Sequence, residues 1–217
     1  MIKGDASVYG AFTCNGLSTT STTSISGDLI VNGNINLTGS TLVYGPTRFM
    51  DGVTINSGIN IKGNTRIAGN TNIGGNIDIV GDTNVGGTLD VVGDTTFRGN
   101  TDISGQTNIS GDTNISGDTN ISGITNMNGD TNIGGTLDVS GNATIYGLVD
   151  INGNTTITGD TKITGLASIF GNAVISGNAM INGDTLLSAN TNIKGNTATV
   201  GWWPSFSKEG RSGEMKR

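Results

Sequence analysis

Three aspartates in the middle of the sequence have a spacing that suits cation binding. Asp94, Asp112 and Asp130 follow one another at equal, 18-residue intervals. If one structural turn has this same length, the three carboxylates stack about 4.8 Å apart and repel one another. A hard cation with oxygen ligands would relieve that repulsion, so this column is a candidate metal site. The glycine-rich nonapeptide of calcium-binding β-rolls is missing from the sequence, and carboxylates that point separately into water are the alternative interpretation.

The composition removes most other kinds of catalytic chemistry. The 217 residues include no histidine and a single cysteine, Cys14. Histidine general bases, Ser–His and Cys–His nucleophiles and histidine-ligated zinc are therefore excluded. One cysteine cannot form an intramolecular disulfide. We expect a protein that is not an enzyme and that needs no cofactor.

The charge and hydropathy of the chain also limit its partners. The net charge is −6 and the isoelectric point is about 4.4, which argues against nucleic-acid binding through a basic surface. No apolar segment approaches the roughly 20 residues of a membrane-spanning helix, and the first residues lack the apolar region of a signal peptide. We expect a soluble intracellular product with neither nucleic acid nor membrane as a partner.

A six-residue repeat extends along nearly the whole chain. From Ile25 to Ile193, every sixth residue is apolar, and glycine follows at the second position after it in almost every unit. Ile2, Val8 and Cys14 have the same spacing in a phase shifted by one position. The shift predicts an irregular loop or bulge within residues 17–24. We therefore assign residues 1–199 to one repeat domain.

Each hexad has the pattern of a short strand followed by a corner. In Thr113–Asn114–Ile115, alternation places the threonine and isoleucine on one face and the asparagine on the other. Glycine and Asn or Asp follow, and these residues tolerate a positive φ angle at a corner. The hydroxyls of the inward threonines are expected to bond to backbone carbonyls or to one another.

Such hexads predict an all-β fold, a single-chain β-solenoid that is triangular, with three hexads in each 18-residue coil. About 11 coils would form a rod roughly 50 Å long. The segment Gly-Gly-Thr-Leu-Asp-Val occurs at residues 86–91 and again at 134–139. The two copies are eight hexads apart, which is not a whole number of three-hexad coils. Two or four sides, or the duplication of short units, therefore remain as alternatives to three sides.

The C-terminal segment, residues 200–217, lies outside the repeat and carries aromatic residues followed by a basic tail. The aromatic residues either cap the last coil or dock to a partner; they are Trp202, Trp203, Pro204 and Phe206.

Four apolar residues that point outward form a possible lateral interface, with scattered surface apolar residues as the alternative. These residues are Tyr146, Leu148, Leu166 and Phe170.

Two segments carry a resemblance to known families. Residues 28–45 (DLIVNGNINLTGSTLVYG) and 134–147 (GGTLDVSGNATIYG) resemble the repeats of phage tail-fibre and large-virus structural proteins. That resemblance implies a rigid, non-catalytic component of a virion that associates with itself or binds capsid or fibre proteins. The aliphatic-x-Gly spacing is also similar to that of bactofilins, which implies a cytoplasmic filament instead.

Hexapeptide solenoid enzymes share the aliphatic and small positions of this repeat. Their glycine lies one position earlier, and they use a histidine that this chain lacks. A solenoid enzyme is therefore the least favoured of the three classes.

Overall fold

The coil has three sides. The structure, a computed structural model, describes residues 6–200, which form 33 short strands numbered β1–β33 in chain order. Every third strand belongs to the same sheet, so the chain builds three parallel sheets of 11 strands each. The predicted triangular β-solenoid is confirmed, and coils with two or four sides are excluded.

The first face contains β1, β4 and every third strand up to β31. Its strands are Ala6–Val8, Thr23–Ile25, Thr41–Val43, Ile59–Ile61, Ile77–Ile79, Thr95–Phe97, Thr113–Ile115, Thr131–Ile133, Val149–Ile151, Ala167–Ile169 and Thr185–Leu187. The second face contains β2, β5 and every third strand up to β32. Its strands are Phe12–Cys14, Leu29–Val31, Thr47–Phe49, Thr65–Ile67, Thr83–Val85, Thr101–Ile103, Thr119–Ile121, Leu137–Val139, Thr155–Ile157, Ala173–Ile175 and Thr191–Ile193. The third face contains β3, β6 and every third strand up to β33. Its strands are Leu17–Thr19, Ile35–Leu37, Val53–Ile55, Thr71–Ile73, Leu89–Val91, Thr107–Ile109, Thr125–Met127, Ala143–Ile145, Thr161–Thr164, Ala179–Asn182 and Thr197–Val200.

The register is constant from β3 onward. Thr113 pairs with Thr131 and Ile115 with Ile133, in each case one 18-residue coil later. At 11 strands per sheet and about 4.8 Å per strand, the rod is about 48 Å long. The two copies of Gly-Gly-Thr-Leu-Asp-Val end in β15 and β23, which belong to different faces. This arrangement explains why the copies are not separated by a whole number of coils.

The phase shift near the N-terminus falls at a corner. Ala6 pairs with Thr23, whereas Leu17 pairs with Ile35, so the first coil is shorter by one position than the coils that follow. The missing residue belongs to the corner between β2 and β3, which consists only of Asn15 and Gly16. The bulge predicted for residues 17–24 is therefore wrong, because that segment is an ordinary strand, a three-residue corner and the start of the next strand.

The core is a set of ladders that run along the rod axis. From β2 to β32, the first and third residues of each strand face inward, and between β3 and β31 these positions are buried. One ladder per face is apolar, with Phe49 and Phe97 as the largest fully buried side chains. The other combines threonine with apolar residues, and identical side chains in successive coils pack on one another as in other stacked-strand structures.

The buried threonine hydroxyls depart from the prediction. Thr95, Thr107 and Thr113 are completely buried, and their Oγ1 atoms have no hydrogen-bond partner. Thr131 differs, since its Oγ1 donates to the sulfur of Met127 at 3.4 Å.

The corner glycines serve close packing more than unusual backbone angles. Within residues 6–200, glycine φ angles in the positive region occur at Gly10 and Gly165. Elsewhere the constraint is space: a Cβ on Gly111 would lie 2.6 Å from the carbonyl carbon and oxygen of Gly93 in the preceding coil. At most corners, therefore, close packing between coils and not a positive φ is what requires glycine.

Candidate functional surfaces

Asparagine and aspartate at the third corner position form hydrogen-bonded ladders. At these positions from Asn64 to Asn178, the Oδ1 atom accepts the backbone N–H of the corresponding corner residue one coil later, as Asn76 does from Asp94 at 2.9 Å. Asn and Asp are interchangeable in this role because both present a carbonyl-type oxygen. The ladder gives the corner N–H groups partners that the strands do not supply.

The candidate cation column belongs to one of these ladders. Asp94 accepts from the Asp112 N–H at 3.0 Å, Asp112 from the Asp130 N–H at 2.9 Å, and Asp130 from the Leu148 N–H at 2.9 Å. The three carboxylates are therefore stacked as predicted, and each is bound to a backbone donor. Among residues 6–200, no group of three or more His, Cys, Asp and Glu side chains is arranged to hold a metal ion.

Asp118 shows the electrostatic effect of such a ladder bond. The backbone N–H of Thr136 donates to Asp118 Oδ1 at 2.8 Å. That bond first, and the Thr136 hydroxyl second, lower the pKa of the Asp118 carboxyl from its ordinary value. Donors favour the ionised form of an acid that accepts from them.

The four residues of the predicted lateral interface lie on two different edges of the rod. Leu148 and Leu166 occupy the same corner position in successive coils, and both are about half exposed. Tyr146 lies at the start of the Leu148 corner, where the Lys162 ammonium is 5.2 Å from its ring centroid. Phe170 lies at the next corner, beyond the strand Ala167–Ile169. The structure thus brings the leucine pair and Tyr146 to one edge and separates Phe170 from them.

The predicted docking residues of the C-terminal segment lie outside the described residues. They are Trp202, Trp203, Pro204 and Phe206.

The second face carries a groove that the repeat pattern does not reveal. It has a volume of 630 Å³ and spans the outward positions from Ile30 to Asn120. Arg48 and Arg66 lie side by side in it as register partners. In the sequence, the feature that predicts this pair is the 18-residue spacing of the two arginines, which equals one coil.

A second cavity lies inside the rod, toward its C-terminal end. It measures 20 Å³ and has a wholly apolar surface. Ala167 and Ala173 line it where other coils place threonine, so the smaller side chains leave the space empty. Threonines such as Thr155 and Thr161 also line the cavity, but its accessible surface is apolar, so it lacks the convergent polar groups of a substrate site.

Comparison with known proteins matches no family model, no curated protein and no solved structure. Residues 6–200 contain no helix that is long and apolar enough to cross a membrane.

Proposed function

We propose that the protein is a non-enzymatic structural rod. The observation that carries this proposal is the unbroken 18-residue register from β3 to β33. No inserted loop interrupts the coils between residues 17 and 200, although binding and catalytic residues are most often placed on such loops. A stack in which each coil is bonded to the next along three sheets resists bending, as a spacer or a fibre segment requires.

The rod associates with itself through its ends, or it docks there to other structural proteins. In the described residues, β1–β3 and β31–β33 each have a strand partner on one side only. Strands with unpaired N–H and C=O groups are templates for pairing with another chain. The half-exposed Leu148 and Leu166 offer a second, lateral contact.

The location that we propose is a virion, with the rod as part of a fibre, a spike or a minor capsid component. The resemblance of residues 28–45 and 134–147 to viral structural repeats supports this location. A bactofilin-like cytoplasmic filament is the second candidate, and the open strand edges at both ends of the described rod favour it.

Negative-stain electron microscopy of the purified chain separates these candidates. The full chain and a variant that lacks residues 202–217 are imaged at matched concentrations. A filament-forming protein gives long polymers with the diameter of one rod, whereas a virion component gives single rods or one fixed oligomer. If the chain forms neither polymer nor oligomer and the truncation changes nothing, both end association and docking through the C-terminal segment are wrong.

A further inference from the structure

The two arginines in the groove of the second face form no direct ion pair within the described chain, although three aspartates line the same groove. Arg48 and Arg66 are register partners in β8 and β11, and both side chains are exposed. Neighbouring strands lie about 4.8 Å apart, so the two positive charges repel each other. Neither guanidinium forms an ion pair or a hydrogen bond with another residue in the range 6–200. A bound anion would offset this repulsion.

The arginine that does have a partner provides the contrast. The Arg98 guanidinium lies 3.6 Å from the carboxylate of Asp78. The Asp78 carboxylate also accepts from the side-chain amide of Asn60 at 3.3 Å. The fold can therefore pair an outward arginine with an acid, and at Arg48 and Arg66 it does not.

Amide groups beside the two arginines extend the set of donors. Asn64 lines the groove, and its Oδ1 already accepts the Asp82 N–H at 2.9 Å. Its NH₂ group is left as a donor. Asn84 also lines the groove and makes no side-chain hydrogen bond with a described residue. Two guanidinium forks with adjacent amide donors suit the oxygens of a phosphate or sulfate group.

Acidic residues set the size of the anion that fits. Asp28, Asp82 and Asp102 also line the groove, so a polyanion that extended along it would be repelled. The groove, at 630 Å³, is far larger than one oxyanion. Beyond the arginines it continues past Asn100 and Asn120, whose amides can bond to hydroxyl groups. The arrangement fits one oxyanion at the arginine pair and uncharged, hydroxyl-bearing groups elsewhere.

We propose that Arg48 and Arg66 form a binding site for a single phosphate or sulfate group. The group is either a free ion or a substituent on a sugar chain that continues along the groove. The site is independent of the proposed structural role, because it requires neither end association nor a virion.

Calorimetric titration at constant ionic strength tests the site on the full chain. The probes are sodium sulfate and a tetrasaccharide with one sulfate group. We expect saturable binding that weakens by about tenfold or more in Arg48→Gln/Arg66→Gln, which removes both charged contacts. Arg98→Gln/Lys62→Gln is the matched control, because it removes two positive charges from residues that do not line the groove, and it should bind within about twofold of the wild type.

The two probes identify the source of the anion. Equal affinities indicate a free ion, whereas tighter binding of the sugar, lost in Asn120→Ala, indicates a substituted sugar chain. If neither probe binds the wild type saturably, or if Arg48→Gln/Arg66→Gln binds as tightly as the wild type, the proposal is wrong. Arg66→Lys keeps the charge and removes the fork, so weaker binding of this variant supports the site even where the double variant fails to fold.

Discussion

The backbone N–H of Thr136 donates a 2.8 Å hydrogen bond to the carboxylate of Asp118, one coil earlier. The bond joins two corners of adjacent coils, so a change in the charge of one side chain affects the stacking of the coils. Because this bond forms only in the folded state and favours the ionised carboxylate, the stability of the fold depends on the ionisation of Asp118. The same relationship recurs along all three edges of the rod, with asparagine in place of aspartate at many positions, as in Asn64, Asn70 and Asn76.

Acidification is expected to remove the contribution of Asp118 to stability. Because the folded state lowers the pKa of Asp118, its contribution is fully present above the pKa of the unfolded chain. It is lost as the pH falls through the lower pKa of the folded state. Asp118→Asn keeps the Oδ1 acceptor and does not titrate, so the stability of this variant should fall less steeply than that of the wild type below about pH 4. Urea denaturation across this range measures both slopes, and parallel curves would contradict the assignment.

The ladder acceptor matters more than its charge. Asp130→Ala leaves the Leu148 N–H without the acceptor that now lies 2.9 Å away, and we expect a loss of about 1 kcal/mol in the free energy of unfolding. Asp130→Asn retains the acceptor and is the matched control, with a change within about 0.5 kcal/mol. Chemical denaturation of the three proteins at neutral pH measures the difference. Equal losses in both variants would show that the charge, and not the acceptor, stabilises the corner.

Most of the fold could be predicted from the sequence because one short-range rule repeats. The alternation of Thr113 and Ile115 with outward Asn114 fixes which side chains face the core, and the even spacing of Asp94, Asp112 and Asp130 fits the coil length. A period of six alone is compatible with two, three or four sides. Only the pairing of strands, such as β19 with β22, decides between them.

The functional surfaces are harder to predict because they depend on contacts between coils. The roles of Gly111 and Asp130 follow from backbone atoms one full coil away, which no local pattern reveals. The groove beside Arg48 and Arg66 is formed by corner residues, such as Asn64, together with outward residues of the strands. Closeness in sequence groups Phe170 with Leu166, although a strand that crosses the whole first face separates them.

The corner glycines are expected to tolerate substitution only where space exists. In Gly111→Ala the new Cβ would lie 2.6 Å from the Gly93 carbonyl carbon and oxygen, so the two coils must separate locally. We expect a loss of about 1–3 kcal/mol, typical of overpacking in a close-packed structure. At Gly52 the nearest atom to a new Cβ is the carbonyl oxygen of Asn70 at 3.6 Å, and Gly52→Ala should change stability by less than about 0.5 kcal/mol. Thermal unfolding followed by circular dichroism compares the two, and a similar loss in both would contradict the packing argument.

The unpaired threonine hydroxyls inside the rod predict a stabilising substitution. Thr107 is completely buried and its Oγ1 has no partner, so Thr107→Val should raise the free energy of unfolding by about 1 kcal/mol at nearly constant volume. Thr131→Val is the matched control, because it also removes the 3.4 Å hydrogen bond to Met127 and should gain less. Urea denaturation of both variants beside the wild type measures the difference. A loss of stability in Thr107→Val would mean that its hydroxyl has a hydrogen-bond partner in solution, such as a water inside the coil.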